Sequence, residues 1–288
     1  MVLLFTGLAV VIALLSSGFV SEGDAEERAA KNVYKTKVGT FEVYMLSEGQ
    51  RDSDASILIG ASSVDVKKFI PSGSYPSAVN AFVVRTPDGV ILIDTGFGRE
   101  LFGNLASVGI SPDDVASLLI THSHGDHIGG LVKSGLPSFP KAKVYIAKRE
   151  FDWSSNVRDA LGGYGDVELF TPGPLAERGT EIIDGVRAIA AYGHTPGHTI
   201  FLIESLGERL LIWGDLTHAM AIQMPRPNVS VTYDSDPAEA AEVRKVVLSF
   251  AMEEEIPVAG MHVAYPAIGR LERDSENQGG YRFVPLPE

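Results

Sequence analysis

The chain has 288 residues, is 45% hydrophobic and 21% charged, and contains no low-complexity stretch, which is typical of a globular protein with one large or two small domains. Its net charge of −13 argues against nucleic acid as the partner, because phosphate binding requires a basic surface, and it disfavours docking to anionic lipid. The absence of cysteine excludes disulfides, thiolate metal ligands and a cysteine nucleophile.

The N-terminus begins with an apolar run over residues 2–20, which a small and acidic segment follows. This pattern predicts that residues 1–23 are a secretory signal peptide. An uncleaved membrane anchor is an alternative, because the run has about 19 residues and can span a bilayer; a misassigned start is another. Residues 24–37 are charged and are predicted to link this segment to one domain over residues 38–288. We therefore expect an exported protein, periplasmic or secreted, with no other membrane segment.

The first half of the domain is predicted to alternate strands with short helices. Its clearest feature is a hairpin, because Pro87-Asp88-Gly89 is a good turn between two apolar strands. Ser111 precedes Pro112 in the pattern of a helix N-terminus. The predicted elements are a strand over 41–46, strands over 81–86 and 90–94, helices over 99–108 and from 111, and a strand over 118–121.

The second half repeats this alternation and contains the strongest helix signal. Asp236 is predicted to be the N-cap, with Pro237 at the first position and Glu239 completing a capping box. The predicted elements are a strand over 143–147, a helix over 148–160, a strand over 182–190, a hairpin of 199–204 and 209–213, a helix over 236–254, and a strand over 256–261. Strand hairpins mixed with helices in each half predict two packed sheets with helices outside.

Four candidate metal ligands follow the strand that ends at residue 121. His122 and His124 are two residues apart, so in extended chain both imidazoles point to the same side and can bind one divalent ion. Asp126 and His127 follow Gly125, where the chain can turn towards a second ion. These nitrogen and oxygen donors suit Zn²⁺, with Fe or Mn as alternatives.

Three more candidate ligands each lie at the end of a predicted strand, where the sites of open α/β proteins are built. His194 completes a trio of imidazoles for the first ion, Asp215 can bridge both ions through its two oxygens, and His262 serves the second ion. Burying so many ionisable groups without metal would be costly. The sequence therefore predicts two divalent ions, held by His122, His124, Asp126, His127, His194, Asp215 and His262.

With these motifs the chain resembles the metallo-β-lactamase superfamily of dinuclear metallohydrolases over residues 38–288. The resemblance implies an α+β fold of four layers, the αββα sandwich, and implies that Asp94 supports the metal loop without binding metal. Within the superfamily, the segments 193–199, 213–218, 234–236 and 280–285 are similar to methyl parathion hydrolase-like and lactonase-like exported members. The last two of these segments touch no chemistry that the sequence identifies.

The resemblance implies a reaction in which a metal-bridging hydroxide attacks an ester or lactone carbonyl, with an aryl phosphotriester as a further substrate. Asp126 would assist the leaving group by analogy with the family. His218 stands where similar lactonases have tyrosine, and we expect it to donate a hydrogen bond or a proton. A supporting or surface histidine is the alternative for His218, and His198 is expected to brace a loop.

The expected substrate is a small apolar ester or lactone. Five apolar side chains on loops or element ends are the candidate pocket walls, and together they favour an apolar or aromatic ligand. They are Phe69, Tyr75, Phe151, Trp153 and Met224.

Two other functions remain open for this sequence. One is a mononuclear iron oxygenase acting on persulfides, which would leave several of the seven ligands without a role. The other is a non-catalytic metal-binding or sensor protein, against which the complete ligand set argues. A homodimer is also open.

Overall fold

The computed structural model describes residues 32–287. The predicted signal peptide or anchor over residues 1–23 lies outside the described residues, as does most of the predicted linker. Among the helices of residues 32–287, none has the length and apolar character needed to cross a membrane.

The described residues form 18 strands, seven α-helices and three short 3₁₀ helices. The strands are β1 (Val33–Val38), β2 (Phe41–Asp54), β3 (Leu58–Ile59), β4 (Ser74–Thr86), β5 (Gly89–Ile93), β6 (Val115–Ile120), β7 (Val132–Lys133), β8 (Leu136–Pro137), β9 (Lys143–Ala147), β10 (Val167–Phe170), β11 (Thr180–Ile183), β12 (Val186–Ala190), β13 (Thr199–Ser205), β14 (Glu208–Ile212), β15 (Ser230–Val231), β16 (Val258–Ala259), β17 (Ile268–Arg273) and β18 (Tyr281–Pro285). The α-helices are α1 (Ser63–Phe69), α2 (Leu101–Ser107), α3 (Gly125–Ile128), α4 (Lys148–Trp153), α5 (Ser155–Leu161), α6 (Met220–Gln223) and α7 (Pro237–Glu253). The 3₁₀ helices are Ala55–Ile57, Pro112–Asp114 and Leu175–Glu177.

Two seven-stranded sheets hold most of the strands. The first sheet has the order β1-β2-β4-β5-β6-β9-β10, and its last three pairings are parallel, so helices must connect those strands. The second has the order β11-β12-β13-β14-β16-β17-β18 and is antiparallel except where β14 meets β16. Helix α7 makes that parallel crossover. Two two-stranded sheets, β3 with β15 and β7 with β8, complete the set in the described part.

The hydrophobic core has two layers that follow from the two-residue period of the strands. Val43, Phe82 and Ile93 of the first sheet pack against the second sheet, whose side of the core includes Phe201 and Ile212. The intervening residues, such as Val83 and Leu92, point to the other face and pack against the helices of the first half. Helix α7 covers the second sheet, with Val247, Leu248 and Ala251 in the same cluster as its strands. The αββα sandwich is confirmed.

Several predicted segments differ from the structure. The strand predicted over 256–261 is only Val258–Ala259, and the helix predicted from 111 is the 3₁₀ helix Pro112–Asp114. The predicted linker was wrong at its end, because Tyr34 and Val38 of β1 are buried while the intervening lysines lie on the outer face. The strand predicted over 182–190 is two strands, β11 and β12, joined at Gly185, whose φ of 71° reverses the chain. The helix predicted over 148–160 is split into α4 and α5 at Ser154, whose side chain accepts a hydrogen bond from Val157 N.

Two further elements bear on the site. Helix α7 begins as predicted, with the Asp236 carboxylate accepting from the backbone N–H groups of Ala238 and Glu239. Strand β2 continues well past residue 46 to Asp54, pairing with the first half of β4 after a register shift between Ser47 and Gln50. This extension of the β2–β4 pair reaches over the edge of the sandwich where the candidate ligands lie.

Candidate metal centre

The seven predicted ligands come together at one edge of the sandwich. His122 and His124 follow the end of β6, and Asp126 and His127 lie in the single turn of α3. From the second sheet, His194, Asp215 and His262 lie on the loops after β12, β14 and β16. The placement at strand ends agrees with the sequence prediction.

Three ring nitrogens form the first half of the site. His194 Nε2 lies 3.1 Å from His122 Nε2 and 3.0 Å from His124 Nδ1, and the last two atoms are 3.1 Å apart. This near-equilateral triangle is close to one face of the tetrahedron that imidazoles form around Zn²⁺.

The second half of the site combines carboxylates with two imidazoles. His127 Nε2 is 3.9 Å from Asp126 Oδ1 and 3.1 Å from Asp215 Oδ1. His262 Nε2 is 3.5 Å from Asp126 Oδ2 and 3.0 Å from Asp215 Oδ2. Asp215 Oδ2 also lies 3.3 Å from His194 Nε2, so this carboxylate contacts both halves as a bridging ligand would.

Hydrogen bonds on the far side of four of the five rings decide which nitrogen carries the proton. His194 Nδ1 is 2.8 Å from Asp234 Oδ1, and His127 Nδ1 is 2.7 Å from Asp94 Oδ2. His262 Nδ1 donates to the backbone oxygen of Ala78. Since each Nδ1 faces an acceptor, each Nε2 presents a lone pair to the centre of the site.

His122 reaches the same tautomer through Thr121. The Thr121 hydroxyl donates to Asp94 Oδ2 over 2.6 Å, so it accepts from His122 Nδ1, which lies 3.1 Å away. Asp94 Oδ1 accepts from Thr121 N at 2.8 Å. Asp94 therefore contacts His127 directly and His122 through Thr121, and it is in none of the groups of described residues that could hold a metal ion.

Two unpartnered buried atoms test whether metal fits this site. His127 Nε2 and Asp215 Oδ1 have no hydrogen-bond partner, although they lie 3.1 Å apart. With the His127 proton on Nδ1, two lone pairs face each other, an arrangement that a cation between them would satisfy. Nitrogen and carboxylate donors without sulfur suit Zn²⁺ and other first-row divalent ions. The residues present therefore fit two divalent metal ions.

Burial lowers the pKa of His127, His194 and His262, but contacts with Asp215 and other carboxylates outweigh it and raise the pKa of each above its usual value. The charge states of His122, His124 and Asp215 suit metal directly. Burial, with the neighbouring histidines, lowers the pKa of His122 well below its usual value, and it lowers the pKa of His124 to about 4. Both imidazoles are neutral at neutral pH and can donate lone pairs. Burial would raise the pKa of Asp215, but the surrounding histidines, His127 first among them, hold it well below its usual value, so Asp215 is a carboxylate.

His198 braces the site and lies outside the sets of residues that could hold metal. Its Nδ1 donates to the Ala191 carbonyl at 2.8 Å, and its Nε2 accepts from the backbone N–H of Asp215 at 3.0 Å. Burial lowers the pKa of His198 to about 3, so its Nε2 keeps the lone pair that holds Asp215 in place.

His218 lies at the inner edge of the site. Its Nε2 is 3.0 Å from Asp215 Oδ2, while its buried Nδ1 has no hydrogen-bond partner. The ring stacks on His262 with a centroid distance of 4.9 Å, and the residue lines the cavity over the ligands. The structure thus places the His218 ring against the carboxylate of Asp215 and the ring of His262.

A cavity of about 570 Å³ opens onto the ligands His124, Asp126, Asp215 and His262. It is a volume suited to a small organic molecule. The other lining residues come from the extended β2–β4 pair, the first 3₁₀ helix, α3 and three loops. They are Arg51, Asp52, Ser53, Asp54, Ile57, Tyr75, Ser77, Phe97, Gly125, His218 and Tyr233.

Of the five predicted pocket walls, only Tyr75 lines this cavity. Met224 is buried in the larger core cluster, and Phe69 packs in the small cluster that contains Tyr75. Phe151 packs against the helices of the first half, and Trp153 is 48% exposed. Those four predictions were wrong because sequence position does not show which way a loop side chain points.

Two buried acids of the site were missed by the sequence prediction. Asp234 belongs to a segment interpreted as having no identifiable chemistry, yet it contacts the metal-facing His194. Glu150, in a predicted helix, accepts hydrogen bonds from Ser123 and Thr195, which are neighbours of three candidate ligands. No local pattern marks either residue, since each reaches its partner across the fold.

Comparison with known proteins agrees with this geometry. The family model of the Metallo-beta-lactamase superfamily matches residues 74–255. An atrochrysone carboxyl ACP thioesterase of Aspergillus chevalieri is 30% identical over 183 residues, which are 60% of this chain and 58% of that protein. An N-acyl homoserine lactonase of a Bacillus species is 25% identical over 153 residues, 43% of this chain and 57% of that protein. The chain thus spans somewhat less than two thirds of the length of these relatives.

Solved structures show the same fold. The hydrolase AbOPH of the beta lactamase superfamily aligns with a TM-score of 0.81 at 24% identity, covering 89% of this chain and 98% of its own. AidC, a dizinc quorum-quenching lactonase in complex with a product, aligns with a TM-score of 0.79 at 22% identity, again over 89% and 98%. The family match covers more than half of the chain, including six of the seven candidate ligands. The chain belongs to the metallo-β-lactamase superfamily.

Proposed function

We propose that the protein is a dinuclear metal-dependent hydrolase that opens the ester bond of a small carbonyl ester or lactone. The observation that carries this proposal is the meeting of two adjacent sets of ligand atoms at the floor of a single cavity. One set contains three histidines and the bridging Asp215, and the other contains Asp126, His127 and His262. Divalent metal, when bound, would supply an activated water and Lewis acidity for the attacked carbonyl.

The residues of the chain hold and orient the reacting groups. Asp215 contacts both ligand sets, so it sets their separation. The ring of His218 lines the cavity beside Asp215, where it can contact the substrate. Asp126, 22% exposed, is the ligand best placed to pass a proton between the site and the leaving oxygen.

The cavity walls support a substrate with an apolar part. Ile57, Tyr75, Phe97 and Tyr233 provide apolar surface above the ligands. Arg51, Asp52 and Asp54 lie on the extended β2 and add polar surface to the same cavity. A lactone or ester with an apolar acyl or aryl group and a polar head suits such walls.

The relatives support a carbonyl substrate. One relative is named as an N-acyl homoserine lactonase and another as a thioesterase, and both reactions attack an acyl carbon. We propose zinc as the metal, since AidC is a dizinc lactonase and the ligand donors here are imidazole and carboxylate. We also propose export of the protein, on the apolar N-terminal run alone.

The test compares initial rates of the zinc-loaded protein on three substrates, an aryl ester, an acyl homoserine lactone and an aryl phosphotriester. Asp215→Asn is the inactive variant, and Asp152→Asn, at an exposed position outside the cavity, is the control that leaves the ligands intact. We expect turnover of a carbonyl substrate by the wild type and the control, and loss of at least a thousandfold in Asp215→Asn. A preference for the phosphotriester would overturn the proposal of a carbonyl substrate. Equal rates with and without metal would overturn the proposal of a metal-dependent hydrolase.

A further inference from the structure

The segment before helix α7 is docked on the loop that carries His194. Ser235 N donates to the His194 backbone oxygen at 2.9 Å, and Asp236 N donates to the Gly193 oxygen at 2.8 Å. The Asp234 carboxylate adds a third link through His194 Nδ1 at 2.8 Å. Three consecutive residues, 234–236, therefore contact the ring of His194, its backbone oxygen and the backbone oxygen of Gly193.

Asp234 divides its two oxygens between two donors. Oδ1 faces the His194 ring, and Oδ2 accepts from the backbone N–H of Val231 at 3.0 Å. The carboxylate is buried, with its side chain 0% exposed. A buried carboxylate with one oxygen on a ring nitrogen fixes both the tautomer and the orientation of that ring.

A buried guanidinium stands behind this carboxylate. Arg244 of α7 is 1% exposed, and its Nη2 is 3.9 Å from Asp234 Oδ2. Its other nitrogens donate to backbone oxygens of Leu216, Pro227 and Val229, at 2.6, 3.0 and 2.6 Å. Leu216 follows Asp215 directly, so one side chain compensates the charge of Asp234 and supports the bridging ligand.

We propose that Asp234, backed by Arg244, positions His194 as a metal ligand, so that α7 controls the affinity of the three-histidine half of the site. This role parallels that of Asp94 at His127 in the other half. It rests on the metal centre of the proposed function but on no particular substrate, because metal binding is measured without one.

The substitution Asp234→Asn separates this role from a contribution to folding. The amide keeps the shape of the carboxylate but has one acceptor, so it must either face Val231 N with its NH₂ group or donate to His194 Nδ1. In the second orientation the His194 proton moves to Nε2 and blocks the metal. Loss of such a partner typically weakens metal binding by about 10- to 100-fold.

The experiment is a titration of zinc-loaded protein with a competing chelator, followed by the metal retained per chain. Asp236→Asn is the matched control, because residue 236 lies two positions away in the same segment and Asn caps a helix as well as Asp. We expect Asp234→Asn to release one of two ions at about 10- to 100-fold lower chelator concentration, with the second ion retained as in the control. The unfolding temperature of the metal-free variant should match that of the metal-free control.

Two results would overturn the proposal. Release of both ions by Asp234→Asn at wild-type chelator concentrations would show that Asp234 does not position His194. If Asp234→Asn binds both ions more weakly to the same extent, and the metal-free variant also unfolds at a lower temperature, the contact of Asp234 with His194 serves folding only. If the variant does not fold, proton NMR of the zinc-loaded wild type tests the proposal instead. The proposal requires that the His194 Nδ1–H proton is present and slow to exchange. Its absence contradicts the proposal, whatever substrate the enzyme turns over.

Discussion

At the scale of single residues, the metal-facing atom of four of the five candidate histidine ligands is chosen by what the other ring nitrogen contacts. Asp94, Asp234 and the Ala78 carbonyl each accept from an Nδ1, and the Thr121 hydroxyl completes the set for His122. Each of these acceptors lies far from its histidine in sequence except Thr121. The ligand set is thus visible in the sequence, while the groups that orient it are not.

Glu150 is the buried acid with the most contacts to the ligand loops. Its Oε1 accepts from the N–H and the hydroxyl of Ser123, which stands between His122 and His124. Its Oε2 accepts from the Thr195 hydroxyl and Gly197 N, next to His194. One carboxylate therefore ties the two loops that form the three-histidine half of the site.

Glu150→Gln should destabilise the protein and slow its reaction. An amide in this position has a single acceptor oxygen, so two of the four donors lose their partner, at a cost of about 2–3 kcal/mol in the free energy of unfolding. We also expect kcat/KM to fall at least tenfold. The measurements are denaturant unfolding and initial rates.

The control for Glu150→Gln is Asp152→Asn in the same helix, since the Asp152 carboxylate is exposed and forms a surface ion pair with Lys148. That control should behave as wild type. A Glu150→Gln protein with wild-type stability and rate would show that the two loops hold their positions without this carboxylate.

At the scale of elements, helix α7 comes so close to the His194 loop that only glycine fits between them. Gly193 has a φ of +113°, and a Cβ there would lie 2.2 Å from Ala240 N in the first turns of α7. Since the neighbouring atoms are backbone, they cannot move aside without shifting the helix or the loop. Helix α7, which contains Arg244 and directly follows the segment with Asp234, therefore packs against the loop that carries His194.

Gly193→Ala should cost about 3 kcal/mol of stability, from the clash and the backbone strain together, and should abolish most of the activity. Thermal unfolding and initial rates are the measurements. Gly207→Ala is the comparison, because Gly207 also has a positive φ, of +80°, but has no atom near the added Cβ. It should cost only about 1 kcal/mol. If the two variants are equally stable, the close approach of α7 does not restrict the loop.

At the scale of the whole molecule, the metal centre lies where the two sheets meet. His122 follows a strand of the first sheet, whereas His194, Asp215 and His262 follow strands of the second. Ala78 and Asn80 of β4 reinforce this junction, because Asn80 Nδ2 donates to the backbone oxygens of Gly260 and Val263 on either side of His262. Bound metal would therefore join both halves of the sandwich.

Metal removal should lower the unfolding temperature of the whole domain. A ligand that binds only the folded state stabilises it by about 4 kcal/mol when its free concentration is a thousand times its Kd. Calorimetry with and without chelator measures the shift, and restoring zinc should reverse it. Asp215→Asn should show a much smaller shift. An unchanged unfolding temperature in protein proven metal-free would contradict the idea that the centre joins the two sheets.

The sequence by itself predicted the candidate ligands, the helix caps and much of the strand pattern, because each is marked by residue types and short motifs that are visible along the chain. The His122–His127 cluster and the Asp236–Pro237 helix start are of this kind. The tertiary structure decided everything that depends on approach between distant segments. It placed Asp234 on His194, Glu150 between two loops, and Tyr233 in the cavity from which Phe69 and Met224 are absent. The physical reason is that the direction of a loop side chain, and the partner that satisfies a buried charge, are set by packing rather than by local conformational preference.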